Sequence, residues 1–143
     1  MITTLNNIFK NGSKTYFYSS LFFPSQIRSD VTILYAFVRV ADNYVDELPQ
    51  DRKSFDIFWE EFWNSFENDL ESENVVIDEF NKLAKRKNFD KNWIKAFEDS
   101  MRSDLSQNTY VTIEDTLKYI YGSAEVIGLM MANILNVPEE GRK

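Results

Sequence analysis

The chain of 143 residues contains no cysteine and no histidine. It therefore cannot form a disulfide, and it has no thiolate or imidazole with which to bind a metal ion. Ser-His-Asp and Cys-His nucleophiles are excluded for the same reason, as is an imidazole general base. Any metal ion that these residues bind must be held through oxygen atoms.

Glycine and proline are also scarce, with four and three residues respectively. Strand-like alternation is rare, whereas apolar residues recur at helical spacing, which predicts an all-α protein of antiparallel helices around a central cavity. A chain of this length predicts one domain. The predicted helices cover residues 3–10, 13–22, 24–47, 51–68, 75–87, 90–105 and 112–136.

Positive charge is sparse as well. The net charge is −7, and no basic tract is dense enough to neutralise a phosphate backbone, so we expect no nucleic-acid partner. No apolar run approaches the roughly 18 residues that span a bilayer. The first residues also lack the charged and apolar regions of a signal peptide. We therefore expect a cytoplasmic protein, and we leave peripheral contact with a membrane open.

The predicted helix over residues 24–47 carries four polar side chains on one face. Asp42 and Asp46 are four residues apart, so both carboxylates project from the same side about one turn apart. Arg39 and Tyr35 extend that face toward the start of the helix. A second, apolar face lies roughly 120° round the helix axis. The predicted core positions on this apolar face are Leu34, Phe37, Val38, Ala41, Tyr44, Val45 and Leu48.

This polar face has two interpretations. Two carboxylates on adjacent turns can share a magnesium ion, which prefers oxygen ligands, and an arginine beside them can bind a diphosphate through paired N–H donors. Alternatively, acidic pairs at this spacing are common on solvated helices. Arg39 and Asp42 would then form an ordinary surface ion pair worth about 0.5 kcal/mol. The spacing alone favours the second interpretation.

Two further patterns bear on a ligand pocket. Small side chains at Gly122, Ser123, Ala124 and Gly128 could leave space for a hydrocarbon chain or allow two helices to pack closely, and both interpretations stay open. The predicted helix over residues 51–68 carries an aromatic stripe, which favours packing in an outer layer of the bundle over a ligand pocket. The stripe consists of Phe55, Phe58, Trp59, Phe62, Trp63 and Phe66.

Two blocks of sequence resemble the squalene/phytoene synthase family, the head-to-head prenyl synthases. Residues 13–47 contain a serine–threonine–tyrosine start, a proline after an apolar run, and a helix of the form LYAF-x-R-x-x-D-x-x-x-D. Residues 110–131 contain the pattern Tyr-x-Tyr-Gly-x-Ala-x-x-x-Gly. The two blocks occur in the order that this family has. Within the family, the run YGSAEVIGLM looks more like the prokaryotic carotenoid enzymes, which favours a phytoene or dehydrosqualene product.

The resemblance implies an all-α bundle of the isoprenoid synthase type and a magnesium-dependent condensation of two farnesyl or geranylgeranyl diphosphates. NADPH would be needed only by a squalene-type enzyme. Asp42 and Asp46 would be magnesium ligands, and the diphosphate would be surrounded by Arg39, Tyr35, Ser13 and Lys14. Tyr16 and Tyr18 would face the prenyl tail. The last helix would line the pocket with Tyr119, Ser123, Ala124, Ile127, Gly128 and Met131.

The chain departs from the family in one large respect, and also in a small one, Asn43, where the family often has an aspartate. The family carries a second aspartate motif in a later helix, and only a short segment follows residue 136 here. We therefore expect residues 1–143 to be the N-terminal part of a single isoprenoid-synthase-like domain. On this hypothesis a complementary C-terminal half is its missing partner, and these residues alone are inactive.

Two other functions remain as alternatives. One is a non-catalytic helical protein that shares the fold, as do the family's relatives that assemble respiratory complex I. Loss of the metal-binding aspartates often marks that branch, whereas Asp42, Asp46 and Arg39 are all present here. The other is an ordinary helical interaction module whose carboxylates are surface residues.

Overall fold

The computed structural model describes residues 24–46, 51–106 and 112–135. These residues form six α-helices and a π-helical turn, and they contain no β-strand. The predicted all-α class is therefore confirmed. The predicted helices over 3–10 and 13–22 lie outside the described residues. The helices are α1 (Ser25–Asp46), α2 (Arg52–Asn68), α3 (Val75–Arg86), α4 (Lys91–Ser106), α5 (Ile113–Ile120) and α6 (Val126–Ile134), with the π turn (Tyr121–Glu125) between α5 and α6.

Side-chain caps fix where three of the helices begin. Asp51 accepts a hydrogen bond from the Ser54 amide at 3.0 Å at the start of α2. Asn74 does the same for two amides at the start of α3, and Thr112 accepts from the amide of Asp115 at the start of α5. Each cap satisfies an amide that has no partner within its own helix. These caps explain why the observed starts of these three helices lie within a residue of the predicted ones.

Helix α1 is the central element and contacts α2, α3, α4 and α6. Residues 30–34 are all buried, including the polar residues Asp30 and Thr32, so α1 is enclosed on every side over this stretch. Further along, only one side remains fully buried. The predicted core positions Leu34, Phe37, Ala41 and Val45 are all buried, whereas Val38 and Tyr44 are half-buried and Leu48 lies outside the described residues.

The core is built from aromatic rings around Phe37. Its ring stacks on Phe80 of α3 with centroids 3.8 Å apart and an interplanar angle of 10°. It meets Trp59 of α2 edge-on at 5.5 Å. The aromatic stripe of α2 therefore packs at the centre of the bundle, not in an outer layer as predicted, because α1 lies directly against it. The α2 residues that are buried there are Phe55, Phe58, Trp59 and Phe62.

Buried polar groups also tie the helices together. The Asp30 side chain, which is only 1% exposed, accepts two hydrogen bonds from the Arg86 guanidinium of α3, at 3.0 and 2.8 Å. On α4, buried Glu98 accepts from Trp63 Nε1 of α2 at 2.7 Å and from Arg102 at 2.9 Å. A buried carboxylate needs such partners because its desolvation is otherwise uncompensated. These contacts fix α1 against α3 and α4 against α2.

Among the described residues, none of the helices combines the length and the apolar character needed to cross a bilayer. This agrees with the sequence, which lacks long apolar runs.

The central position of Phe37 leads to a test of the core. Replacing Phe37 by Ala removes a ring that is 1% exposed and leaves a cavity among packed aromatic residues. We expect the free energy of unfolding to fall by about 3–5 kcal/mol. Chemical denaturation of the purified chain, followed by circular dichroism, measures it.

The matched control for Phe37→Ala is Ile57→Ala on α2, since Ile57 is 56% exposed. Its unfolding free energy should change by no more than about 0.5 kcal/mol. Equal effects of the two substitutions would contradict the described core.

Candidate functional site

The polar face of α1 brings Tyr35, Arg39 and Asp42 together. Tyr35 and Asp42 are half-buried, and Arg39 is exposed. Burial raises the pKa of the Tyr35 phenol, the positive charge of Arg39 lowers it, and the negative charge of Asp42 raises it. The net pKa lies above the ordinary value, so the phenol keeps its proton at neutral pH. The face therefore presents a neutral hydroxyl, a guanidinium and a carboxylate along two turns.

The carboxylates lie at the end of α1 where a helix least favours them. Asp46 is its last residue, and the last turn contains no basic side chain. The C-terminus of a helix carries a partial negative charge, so carboxylates there are unfavourable unless a cation lies near them. The register of the backbone places Asp42 and Asp46 on one face one turn apart, although the Asp46 side chain lies outside what the structure describes.

These residues fit a hard divalent cation in their chemistry. Both are carboxylates, the ligand type that magnesium prefers. Magnesium is commonly bound by one or two carboxylates together with water and substrate phosphates, so two aspartates suffice as the protein's share. Within the described ranges no group of three or more acidic side chains forms a metal site by itself. We call Tyr35, Arg39, Asp42 and Asp46 the α1 polar face.

The predicted pocket residues on α6 lie on its outer side. Val126, Met130 and Ile134 are buried in the core. Ile127 and Met131 are half-buried against that core, while Ala124 and Gly128 are exposed. Since α6 contacts α1, the helix that carries the predicted pocket residues lies beside the helix that carries the aspartates.

Tyr119 and Ser123 make specific hydrogen bonds. The Tyr119 hydroxyl donates to the Asp104 carboxylate of α4 at 2.9 Å. The Ser123 hydroxyl donates to the carbonyl oxygen of Tyr119 at 2.7 Å. Tyr119 also lines an open groove of about 530 Å³ between α4 and α5, together with Ala96, Ser100, Leu117 and Tyr121. The residues that line this groove do not include the α1 polar face.

The small residues, whose role was open from the sequence, divide into two kinds. Gly122 is buried, and a Cβ added to it would overlap the Ala96 carbonyl and the Ser100 side chain of α4. Gly122 therefore serves close helix packing. Gly128 is different, because a Cβ there would meet nothing within 4 Å. Of the two glycines, only Gly128 leaves open space of the kind that a ligand could occupy.

The predicted helix over 112–136 is interrupted, which the sequence interpretation missed. Residues Tyr121–Glu125 form a π turn in which the Val126 amide donates to the Tyr121 carbonyl five residues back. A signal was present: the buried residues Gly122, Val126, Met130 and Ile134 recur every four residues. In an α-helix of 3.6 residues per turn, such a stripe drifts by roughly 40° at each step. A wider turn absorbs part of that drift.

Comparison with known proteins identifies the family. A family model described as squalene/phytoene synthase matches residues 9–143. The chain belongs to the squalene/phytoene synthase family. It is 29% identical over 141 residues to a phytoene synthase of Pseudescherichia vulneris, an alignment that covers 91% of this chain and 45% of that protein.

A second relative is the 15-cis-phytoene synthase of Paracoccus sp. (strain N81106 / MBIC 01143). The chain is 24% identical to it over 148 residues, which cover 98% of this chain and 49% of that protein. The chain thus spans about half the length of the curated relatives it matches. The family predicted from the two sequence blocks is confirmed. The roles given to individual site residues stay predictions, and Ser13, Lys14, Tyr16 and Tyr18 lie outside the described residues.

The contrast between the two glycines gives a second test. Gly122→Ala should lower the free energy of unfolding by about 1–3 kcal/mol, because the Ala96 carbonyl is backbone and cannot rotate away. Gly128→Ala should raise it by up to about 1 kcal/mol, because alanine favours a helix and meets no neighbour there. Urea denaturation of both variants measures the difference, and a stabilising Gly122→Ala would contradict the close helix contact.

Proposed function

We propose that this chain forms the first-aspartate side of the active site of a magnesium-dependent enzyme that condenses two prenyl diphosphates head to head. The observation that carries the proposal is the α1 polar face, within a chain of this family. Two phytoene synthases among the relatives favour a phytoene-type product over a squalene-type product. The non-catalytic alternative is disfavoured because Arg39, Asp42 and Asp46 are all present.

Each residue of the α1 polar face has a role in this proposal. Asp42 and Asp46 would bind magnesium, which when bound supplies Lewis-acid stabilisation of the charge on a departing diphosphate. Arg39 would bind diphosphate oxygens through its planar, paired N–H donors. The Tyr35 phenol keeps its proton and would donate a hydrogen bond to the same group. No covalent nucleophile is needed, in agreement with the lack of cysteine and histidine.

The second requirement is an apolar space that excludes water, because an allylic cation reacts readily with water. On α6, Ile127 and Met131 offer apolar side chains, and the bare backbone at Gly128 leaves room for a hydrocarbon chain. These residues would face the prenyl tail, while the α1 polar face binds the diphosphate. A prenyl diphosphate has both parts in one molecule: a charged diphosphate and an apolar hydrocarbon chain.

The metal and diphosphate roles are tested by ligand binding. A non-reactive analogue, geranylgeranyl S-thiolodiphosphate, should bind to the chain in the presence of magnesium, and EDTA should abolish that binding. Asp42→Asn should weaken it about tenfold or more, since a charge-assisted interaction is lost. Arg39→Lys should weaken it several-fold although charge is kept, because lysine lacks the planar fork. Isothermal titration calorimetry measures all three.

The control for these variants is Glu60→Gln, which removes one exposed carboxylate on α2. Its affinity for the analogue should stay within about twofold of the wild type, because Glu60 is not part of the α1 polar face and its exposed charge is screened by salt. If Asp42→Asn and Glu60→Gln behave alike, the metal role of Asp42 is wrong.

Catalysis by the 143 residues alone is a separate prediction. Only one D-x-x-x-D pair occurs in the sequence, so charge on two departing diphosphates would be only partly neutralised. We expect no C30 or C40 product when the purified chain is incubated with magnesium and farnesyl or geranylgeranyl diphosphate, as judged by extraction and mass spectrometry. Formation of either product would overturn the need for a second aspartate motif.

A further inference from the structure

The π turn packs against α4. The Ser100 hydroxyl donates to the Tyr119 carbonyl oxygen at 3.3 Å, across the interface between the two helices. Ser100 itself is 5% exposed. Gly122, in the turn, lies against the Ser100 side chain and the Ala96 carbonyl. A hydroxyl from one helix and a residue without a side chain on the other therefore meet at the point where the helix widens.

The Tyr119 carbonyl receives a second hydroxyl within its own helix, from Ser123 at 2.7 Å. Serine hydroxyls that bond to the carbonyl four residues back bend helices. Ser123 thus supplies a local bend, but it cannot fix the turn relative to the rest of the bundle. Ser100 can, because it projects from another helix.

The position of Ser100 is itself well determined. Two residues earlier on α4, the buried Glu98 side chain binds the Trp63 indole of α2. Arg102, two residues later, bonds both to Glu98 and to Asp56 of α2, the latter at 2.6 Å. Ser100 therefore lies between two residues that anchor α4 to α2.

We propose that Ser100 is a positioning residue, which holds the π turn and thereby sets the rotation of α6 about its own axis. A π turn takes one residue more per turn than an α-helix. If the segment closed into an α-helix, the residues that follow would rotate by roughly 100°. Val126 and Met130 would leave the core, and Gly128 would no longer face open space. The inference rests on the proposed function, in which that side of α6 faces the prenyl tail.

The test compares wild type, Ser100→Ala and the control Thr116→Ala. The Thr116 hydroxyl also donates a hydrogen bond to a backbone carbonyl, that of Thr112, at 3.1 Å. This bond is exposed and does not connect two helices. For each protein, amide hydrogen exchange is measured residue by residue, and the affinity for geranylgeranyl S-thiolodiphosphate is measured with magnesium present. Exchange reports the turn directly, independently of any ligand.

Ser100→Ala should speed exchange about tenfold or more in Tyr121–Glu125 and α6, while α1, α2 and α3 keep their protection, because opening is local. Ser100→Ala should also weaken binding of the analogue about three- to tenfold. Thr116→Ala should change neither. Unchanged exchange in the turn, or faster exchange spread equally over all helices, overturns the inference.

Binding separates this inference from the proposed function. A wild-type chain that does not bind the analogue overturns the proposed function itself. A wild type that binds, with the same affinity in Ser100→Ala despite a loosened turn, overturns only the positioning role of Ser100.

Discussion

The burial of α1 is the constraint on which the rest of the structure depends. Four helices contact it, and its orientation is determined by the Phe37 ring, which stacks on Phe80 and meets Trp59 edge-on. Because residues on a helix share one rigid register, burying Phe37 also determines where every other side chain of α1 points. The polar face at Arg39 and Asp42 is thus directed away from the core by the apolar packing of Phe37, a residue with no proposed role in binding or catalysis.

The buried pair of Asp30 and Arg86 adds a constraint of a different kind. Apolar packing tolerates small sliding of one helix along another, whereas two hydrogen bonds of 3.0 and 2.8 Å to a single carboxylate do not. The pair determines the axial position of α1 against α3, and the aromatic core determines its rotation. Such a buried pair gives no assured gain in stability over apolar packing, so its contribution here is position.

The carboxylates at the end of α1 work against local stability. A helix whose last turn carries an aspartate and no base opposes its own dipole. Rules that describe helix stability would put a lysine or arginine there. The place where a sequence departs from such rules is where a function is to be expected, and here a bound cation would remove the conflict.

The sequence by itself determined the helical class, the bounds of the first four helices and the family. Each depends on neighbouring residues only, because apolar spacing marks the helices and the motif residues stand at fixed separations. The side of α1 that is buried was also predictable, because Leu34, Phe37, Ala41 and Val45 follow one helical stripe.

Only the tertiary structure decided those features that depend on contact between one helix and another. The sequence pattern of the aromatic stripe of α2 is the same for packing in an outer layer and at the centre of the bundle. Contact with α1 decides that it packs at the centre. Gly122 and Gly128 are likewise the same residue type. The first is pressed against Ala96 and Ser100 of α4, and the second meets open space. The π turn also depends on a second helix, because the Ser100 hydroxyl of α4 that bonds to the Tyr119 carbonyl is 19 residues away in sequence. Local spacing carries no information about which distant side chain a backbone group will contact.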